Sequence, residues 1–268
     1  MSRDLAALAA LAERAADRAR AEVLPRFRKV GFETKADGSP VTEADRAAEQ
    51  AIRSVLRAGE PGVALIGEEF GVEGDAGGQA WVIDPIDGTI AFTRGIPLFA
   101  TLLARLEGGV PVVGLIDLPA LGERYVGWKG GGCRRNGVPV RCSQADDLRH
   151  ALVSHGDPFC FEIVGEQAAF LRMAAGIPML RGYTDAFGHA RVLDGGVDAM
   201  VDLHLNPWDA AATQLLVPEA GGRCETIHYP APGKLGLVFG APALVDPLLA
   251  LLERQPEPTR ARSDGGRR

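Results

Sequence analysis

Cysteine is scarce in this chain: four residues in 268, Cys133, Cys142, Cys160 and Cys224, lie far apart without the paired spacing of a zinc site or a disulfide framework. They read as reduced, packing thiols of a cytoplasmic protein. Basic charge is in deficit, with 29 Lys and Arg against 35 Asp and Glu, a net charge of −6, and no basic stripe. That excludes the electrostatic footprint of a nucleic-acid binder. Uninterrupted apolar runs are short. The alanine-rich N-terminal stretch DLAALAALAERAADRARAEVL is broken by Asp4, Glu13 and Asp17, so it is neither a membrane span nor a signal peptide. Repeats and linkers are missing as well, which leaves one large domain or two closely packed halves.

What is present is ordinary globular composition, 46% hydrophobic and 24% charged. The N-terminal stretch reads as an amphipathic helix with Leu5, Leu8, Leu11 and Ala15 on its buried stripe. A polar loop, ETKADGSPVTEAD, leads into a second helical pattern over residues 43–57, with Thr42 and Asp45 spaced as a helix cap. GVALIGEEF and WVIDPIDG then each read as an apolar strand ending in acids. Residues 98–140 run as short apolar segments between Gly and Pro, the texture of an antiparallel meander. Past residue 151 the pattern predicts a strand at ALVSH, a helix over 161–175, IPMLRG, and a helix over 186–194. Strand VDAMVDL, helix PWDAAATQLLVPEAGG, strand LGLVFG and helix APALVDPLLALLE follow. The result is layered α and β without the regular parallel βαβ of a doubly wound fold. We divide it into an N-terminal α+β half (1–140), a C-terminal α/β half (141–254) and a disordered tail, 255–268, that lacks apolar residues.

The chemistry concentrates in WVIDPIDGTIAF. Asp84 and Asp87 flank Pro85, which restricts the backbone and holds the two carboxylates in a fixed relation. Two acids so close repel unless a cation sits between them, and a hard divalent ion such as Mg²⁺ takes oxygen ligands of this kind. Gly88 and Thr89 form a helix entry whose free N–H groups suit an anion. Glu68 and Glu69 bring carboxylates from the neighbouring strand end, and Asp209 opens a late helix as a closing ligand. Cation and anion sites side by side fit phosphoryl transfer, with metal-activated water as nucleophile and no cysteine or serine required.

GEE, WVIDPIDGT and PWDAAATQLLVPEAGG, in that order, resemble the signature regions of the inositol monophosphatase superfamily of Mg²⁺-dependent, lithium-sensitive phosphomonoesterases, and VTEAD resembles the element before them. The resemblance spans roughly residues 30–240. It implies the layered αβαβα sandwich of the inositol monophosphatase and fructose bisphosphatase type, usually as a homodimer. It also implies that Glu68, Asp84 and the Ile86 carbonyl bind a first metal, and that Asp84, Asp87 and Asp209 bind a second. Glu68 would help hold a weaker third. Thr89, linked to Asp45, would orient and help deprotonate the attacking water, while the Gly88 and Thr89 amides hold the phosphate. Lys35 falls where the family has a lysine near the site.

GIPLFATLLARLEGGVPVVGLIDLPALGERYVGWKGGGCRRNG and RGYTDAFGHARVLDGGVDAMVD resemble the histidinol-phosphate phosphatase branch. On that resemblance the expected substrate is a small-molecule phosphate monoester, L-histidinol phosphate, and Asp185 and Asp202 would face its ammonium and imidazole. Asp202 stands where that branch often has Glu, so its arm is shorter. His189, four residues after Asp185, shares its helical face and would line the pocket. Asp117 and Arg124 read as a structural pair in the meander, with a part in the branch-specific pocket or a dimer contact as the alternative, and Trp81 and Trp208 read as core aromatics. Rival substrates are inositol 1-phosphate, fructose 1,6-bisphosphate and the 3′-phosphate of adenosine bisphosphate, which share the metal centre. A silent binding protein is the rival of another class, and it would be marked by a lost metal ligand.

Overall fold

The computed structural model describes residues 4–35, 38, 40–230 and 233–252, so the tail expected at 255–268 lies outside the described residues. Helix α1 (Leu5–Arg26) starts at Asp4, whose carboxylate accepts the Ala6 and Ala7 amides. Short strands β1 (Glu33–Thr34) and β2 (Pro40–Val41) pair and lead into α2 (Glu43–Gly59), whose Thr42 and Asp45 form a reciprocal capping box. Next come β3 (Ala64–Gly67), β4 (Gly71–Glu73), β5 (Gln79–Asp87) and the single turn α3 (Thr89–Thr93). The expected meander follows as β6 (Ala100–Glu107), β7 (Val110–Leu118), β8 (Glu123–Trp128), β9 (Gly132–Arg135) and β10 (Val138–Pro139).

Strand β11 (Leu152–His155) precedes α4 (Pro158–Ile163) and α5 (Gln167–Gly176). The one helix expected over 161–175 is therefore two, because Gly165 takes a left-handed turn between them. Then follow β12 (Met179–Arg181), α6 (Asp185–Leu193), β13 (Ala199–Leu205) and α7 (Pro207–Glu219). The last elements are β14 (Arg223–His228), β15 (Leu235–Gly240) and α8 (Pro242–Leu251). Strand β14, an edge strand of mixed polarity, was not signalled by any apolar run.

Eight strands form one sheet in the order β10-β9-β8-β7-β6-β5-β3-β4, and five form another in the order β12-β11-β13-β15-β14. In the larger sheet β3 and β5 are parallel, so both deliver their carboxylates at the same edge. Alternation along the strands fixes the layers. Trp81, Ile83, Leu103 and Leu115 pack with α1 and α2 on one face, while Leu102 and Ile116 turn to the other face against α6 and α7. In the smaller sheet Met200 and Phe239 join that same middle layer, and Val201 and Val238 point away toward α4, α5 and α8. The sum is a helix, sheet, helix, sheet, helix sandwich. Each such side chain contributes about 1.5–3 kcal/mol by leaving water, and Phe239→Ala would cost about 3–5 kcal/mol. Helix α7 lies directly on the sheet: a Cβ at Gly114 would stand 2.9 Å from the Ala212 carbonyl oxygen.

Candidate metal centre and adjoining cavity

Asp84 and Asp87 are three residues apart, an odd spacing that in a regular strand sends side chains to opposite faces. The β5–β6 ladder resolves this. Asp84 faces Leu102 and Asp87 faces Ala100, so three steps on β5 oppose two on β6 and the strand bulges at Pro85 and Ile86. Proline has no N–H to lose at such a place, and the freed Pro85 carbonyl accepts the Thr101 hydroxyl at 2.8 Å. The Ile86 amide donates to Asp84 Oδ1 at 3.0 Å. Asp209, in the first turn of α7, joins them, with its Oδ2 accepting the Asn206 amide at 2.8 Å. One carboxylate oxygen from each of Asp84, Asp87 and Asp209 lies within 4.8 Å of the others.

Three carboxylates at that spacing, Asp84 buried and Asp87 and Asp209 half-buried, hold their protons tightly. Burial, then the charges of Glu68, Asp87 and Asp209, pushes Asp84 well above the ordinary carboxylate range. Burial, then Asp185 and Asp209, does the same to Asp87. Asp209 is raised by burial to about 7, although the Asn206 amide pulls the other way. An oxygen-only donor set whose charge is uncompensated by any of its own members fits a hard divalent cation.

Glu68 follows β3, where its amide donates to the Ile83 carbonyl at 3.2 Å. Lys35 spans the two acids of this turn, with Nζ 2.8 Å from Glu68 Oε1 and 2.6 Å from Glu69 Oε1. Burial pushes Glu69 up to about 7 against the pull of Lys35. Sequence reasoning missed Glu49. It is wholly buried on α2 and accepts the Glu69 amide at 2.7 Å and the Phe70 amide at 3.3 Å while pairing with Arg53 at 2.7 Å. Its signal was its place one helical turn after Asp45, on the same face.

Thr89 heads α3 behind Gly88, whose left-handed backbone (φ 78°) turns the chain out of β5. The Thr89 hydroxyl lies 2.9 Å from the Ile86 carbonyl and 3.4 Å from Asp45 Oδ1. Gly88, Thr89 and Glu68 line a cavity of about 480 Å³ with Ile90, Ala91, Ile96, Leu98, Pro40 and Pro158. Its remaining lining is Asp157, Thr184 and Asp185. Asp157 is a second residue that sequence reasoning missed; it caps α4, with Oδ1 accepting the Phe159 amide at 2.8 Å.

Asp185 lines the cavity. It takes a left-handed conformation (φ 57°), and burial, then the charge of Asp202, raises it to about 6. The amide of the next residue, Ala186, donates to Asp87 Oδ2 at 2.6 Å. His189 and Asp202 stand differently from the expectation. His189 is only 1% exposed and Asp202 4%, and neither is among the residues lining the cavity. Asp202 sits inside β13 and not at a free strand end, with Oδ2 3.1 Å from His189 Nε2, while His189 Nδ1 is 2.7 Å from the Thr213 hydroxyl. A helical face tells which residues share a side but not what packs on it, and here that side faces β13 and α7.

Asp117 and Arg124 pair across β7 and β8, Nε to Oδ1 at 2.8 Å, and Arg20 joins them at 2.6 Å, so the pair is structural. Trp81 is fully buried and donates Nε1 to Glu60 at 2.8 Å, and Trp208 packs half-buried against Val82, Ala104 and Ala211. Among the described residues no helix is long and apolar enough to cross a membrane.

The model of the inositol monophosphatase family matches residues 4–250. A histidinol-phosphatase of Chlorobaculum parvum is 39% identical over 193 residues, 71% of this chain and 74% of that protein. A histidinol-phosphatase of Streptomyces coelicolor is 39% identical over 223 residues, 79% of this chain and 84% of its own length. The solved structure of an inositol monophosphatase from Zymomonas mobilis is similar at a TM-score of 0.80 and 33% identity, covering 92% of this chain and 97% of that one. The layered sandwich, the acid cluster at its bulged strand end and a match over almost the whole described chain agree: this chain is a phosphoric monoester hydrolase belonging to the inositol monophosphatase family.

Proposed function

We propose that the protein is a Mg²⁺-dependent phosphatase that hydrolyses L-histidinol phosphate to L-histidinol and phosphate. The observation that carries the substrate is the lining of the cavity. Besides Glu68 and Thr89 on the metal side and Thr184, it offers an apolar wall, Ile90, Ala91, Ile96, Leu98 and Pro158, and two further acids, Asp157 and Asp185, with no Lys, Arg, Asn or Gln among its described lining residues. A flat ring with a cationic amine matches apolar surface plus carboxylate, whereas a polyol asks for many hydrogen-bonding groups. The similarity to histidinol-phosphatases supports the same reading.

In this reading Glu68, Asp84, Asp87, Asp209 and the Ile86 carbonyl hold two Mg²⁺ ions, with Glu68 contributing to a weaker third. When bound, the ions supply charge that stabilises the attacking and leaving oxygens and lowers the pKa of water. The chain's own residues do the rest. The single Thr89 hydroxyl proton goes to the Ile86 carbonyl at 2.9 Å or turns to Asp45 Oδ1 at 3.4 Å, and in either pose a lone pair accepts a hydrogen bond from the attacking water and orients it. Burial raises Asp45 above the ordinary carboxylate range, which suits it to take the proton that Thr89 passes on. The amides of Gly88 and Thr89 hold phosphate oxygens, and the closed bulge at Pro85 keeps the acids from splaying. Asp185 and Asp157 meet the cationic end of the leaving alcohol. Homodimer formation belongs to the reading through the family resemblance alone.

Phosphate release with Mg²⁺ from L-histidinol phosphate, measured beside inositol 1-phosphate, fructose 1,6-bisphosphate and adenosine 3′,5′-bisphosphate, tests the proposal. A lead in kcat/KM of about tenfold for histidinol phosphate, some 1.4 kcal/mol of discrimination, is expected. A lead for inositol 1-phosphate keeps the phosphatase and removes the assigned roles of Asp157 and Asp185.

A further inference from the structure

His189 is absent from the cavity, and its imidazole meets three other elements instead. One nitrogen meets Asp202 on β13 at 3.1 Å, the other meets Thr213 on α7 at 2.7 Å, and the ring stands edge-on to Phe239 of β15 with centroids 4.9 Å apart. Thr213 is one helical turn after Asp209, and His189 one turn after Asp185. The first turn of α6 is thus joined to the helix that carries a metal-ligand candidate. That first turn does two jobs: Asp185 lines the cavity, and the Ala186 amide holds Asp87 Oδ2 at 2.6 Å. Asp185 does so in a left-handed backbone conformation, which a non-glycine residue keeps only when its surroundings hold it.

The two contacts use both ring nitrogens: Nε2 pairs with the Asp202 carboxylate, which accepts from it, and Nδ1 pairs with the Thr213 hydroxyl, which can either donate or accept. Replacing the imidazole by an apolar side chain would strand a buried carboxylate and a buried hydroxyl together.

We infer that His189 is a positioning residue of this enzyme: by clamping α6 to α7 and β13, and by engaging Asp202, it sets the pose of Asp185 and leaves Asp185 as the acid that selects the cationic leaving group. The selection half of this inference rests on the reading given under Proposed function. His189 itself touches no substrate and acts through α6.

The test compares His189→Leu with His189→Gln, whose amide can both donate to Asp202 and accept from Thr213. Each full-length variant is assayed with saturating Mg²⁺ on L-histidinol phosphate and on p-nitrophenyl phosphate, whose leaving group carries no cation. The expected result in His189→Leu is that the ratio of the two kcat/KM values falls about tenfold, mostly through KM for histidinol phosphate, and that His189→Gln restores it to within about threefold of the parent. An unchanged ratio in folded His189→Leu, or equal losses in both variants, overturns the inference. If His189→Leu does not fold, Thr213→Val removes the α7 link alone, and the same ratio decides. A parent chain that prefers inositol 1-phosphate defeats the substrate reading separately. The variants are then read with inositol 1-phosphate in place of histidinol phosphate, and a falling ratio still upholds the clamp while a constant one removes it.

Discussion

Asp45 divides its two oxygens between two tasks: Oδ2 accepts the Thr42 amide at 2.8 Å and the Thr42 hydroxyl at 2.6 Å, while Oδ1 lies 3.4 Å from the Thr89 hydroxyl. Helix cap and contact to the site are therefore the same residue, and the start of α2 is held in register with the start of α3.

That division separates two substitutions. Thr89→Val keeps the shape and loses only the hydroxyl, so kcat should fall about 100-fold or more with KM and melting temperature little changed. Asp45→Ala should lose activity and also about 1 kcal/mol of stability with the cap. Steady-state kinetics and thermal melts of both variants check this, and an active Thr89→Val would remove the role assigned to the hydroxyl.

Metal-free protein should grow less stable as pH rises. Asp209 goes from 3.8 to about 7 on folding, so between those values the folded state binds more protons than the unfolded one, and stability is lost as pH climbs through the folded pKa. Asp185, raised to about 6, acts in the same direction. Melting in EDTA from about pH 4 to about pH 8 should show a decline of several degrees. Saturating Mg²⁺ should cancel it by binding the ionised acids. A melting temperature that rises with pH in EDTA contradicts the acid cluster as described.

Asp209→Asn removes one charge from the cluster while its oxygen can still accept the Asn206 amide. Turnover should drop by about 1,000-fold or more, and the metal-free melting temperature should rise by about 2–4 °C per kcal/mol of relieved repulsion. Full activity in this variant would move the metal site elsewhere.

Asp157→Asn should raise KM for histidinol phosphate by about tenfold and leave p-nitrophenyl phosphate turnover unchanged, because Asn can still cap α4 through its oxygen. Equal effects on both substrates would assign Asp157 to the fold alone.

Glu49→Gln keeps one acceptor for the Glu69 amide but loses the charge that pairs with Arg53. We expect weaker Mg²⁺ binding by titration calorimetry, about tenfold, through a loosened Glu68 turn. Glu49→Ala should unfold more readily by about 1–3 kcal/mol, since it leaves the Glu69 and Phe70 amides without their acceptor and Arg53 with only Glu73 and the Gly71 carbonyl.

The sequence by itself determined the acids, their order and the local geometry that presents them. Short apolar runs marked the strands, the Thr42 and Asp45 spacing marked a cap, and DPIDGT carried both the restricted backbone and the glycine needed to leave the strand. Local rules suffice there because each feature depends on residues within one or two turns of chain. Tertiary structure alone decided the rest. Whether Asp84 and Asp87 share a face depended on the shifted pairing with β6, which an isolated strand cannot declare. Asp157 reached the cavity and Glu49 the Glu68 turn through contacts between distant segments. His189 shares the helical face of Asp185, as expected, but α7 and β13 close over that face. Among the described residues the buried imidazole then pairs with the Asp202 carboxylate and the Thr213 hydroxyl.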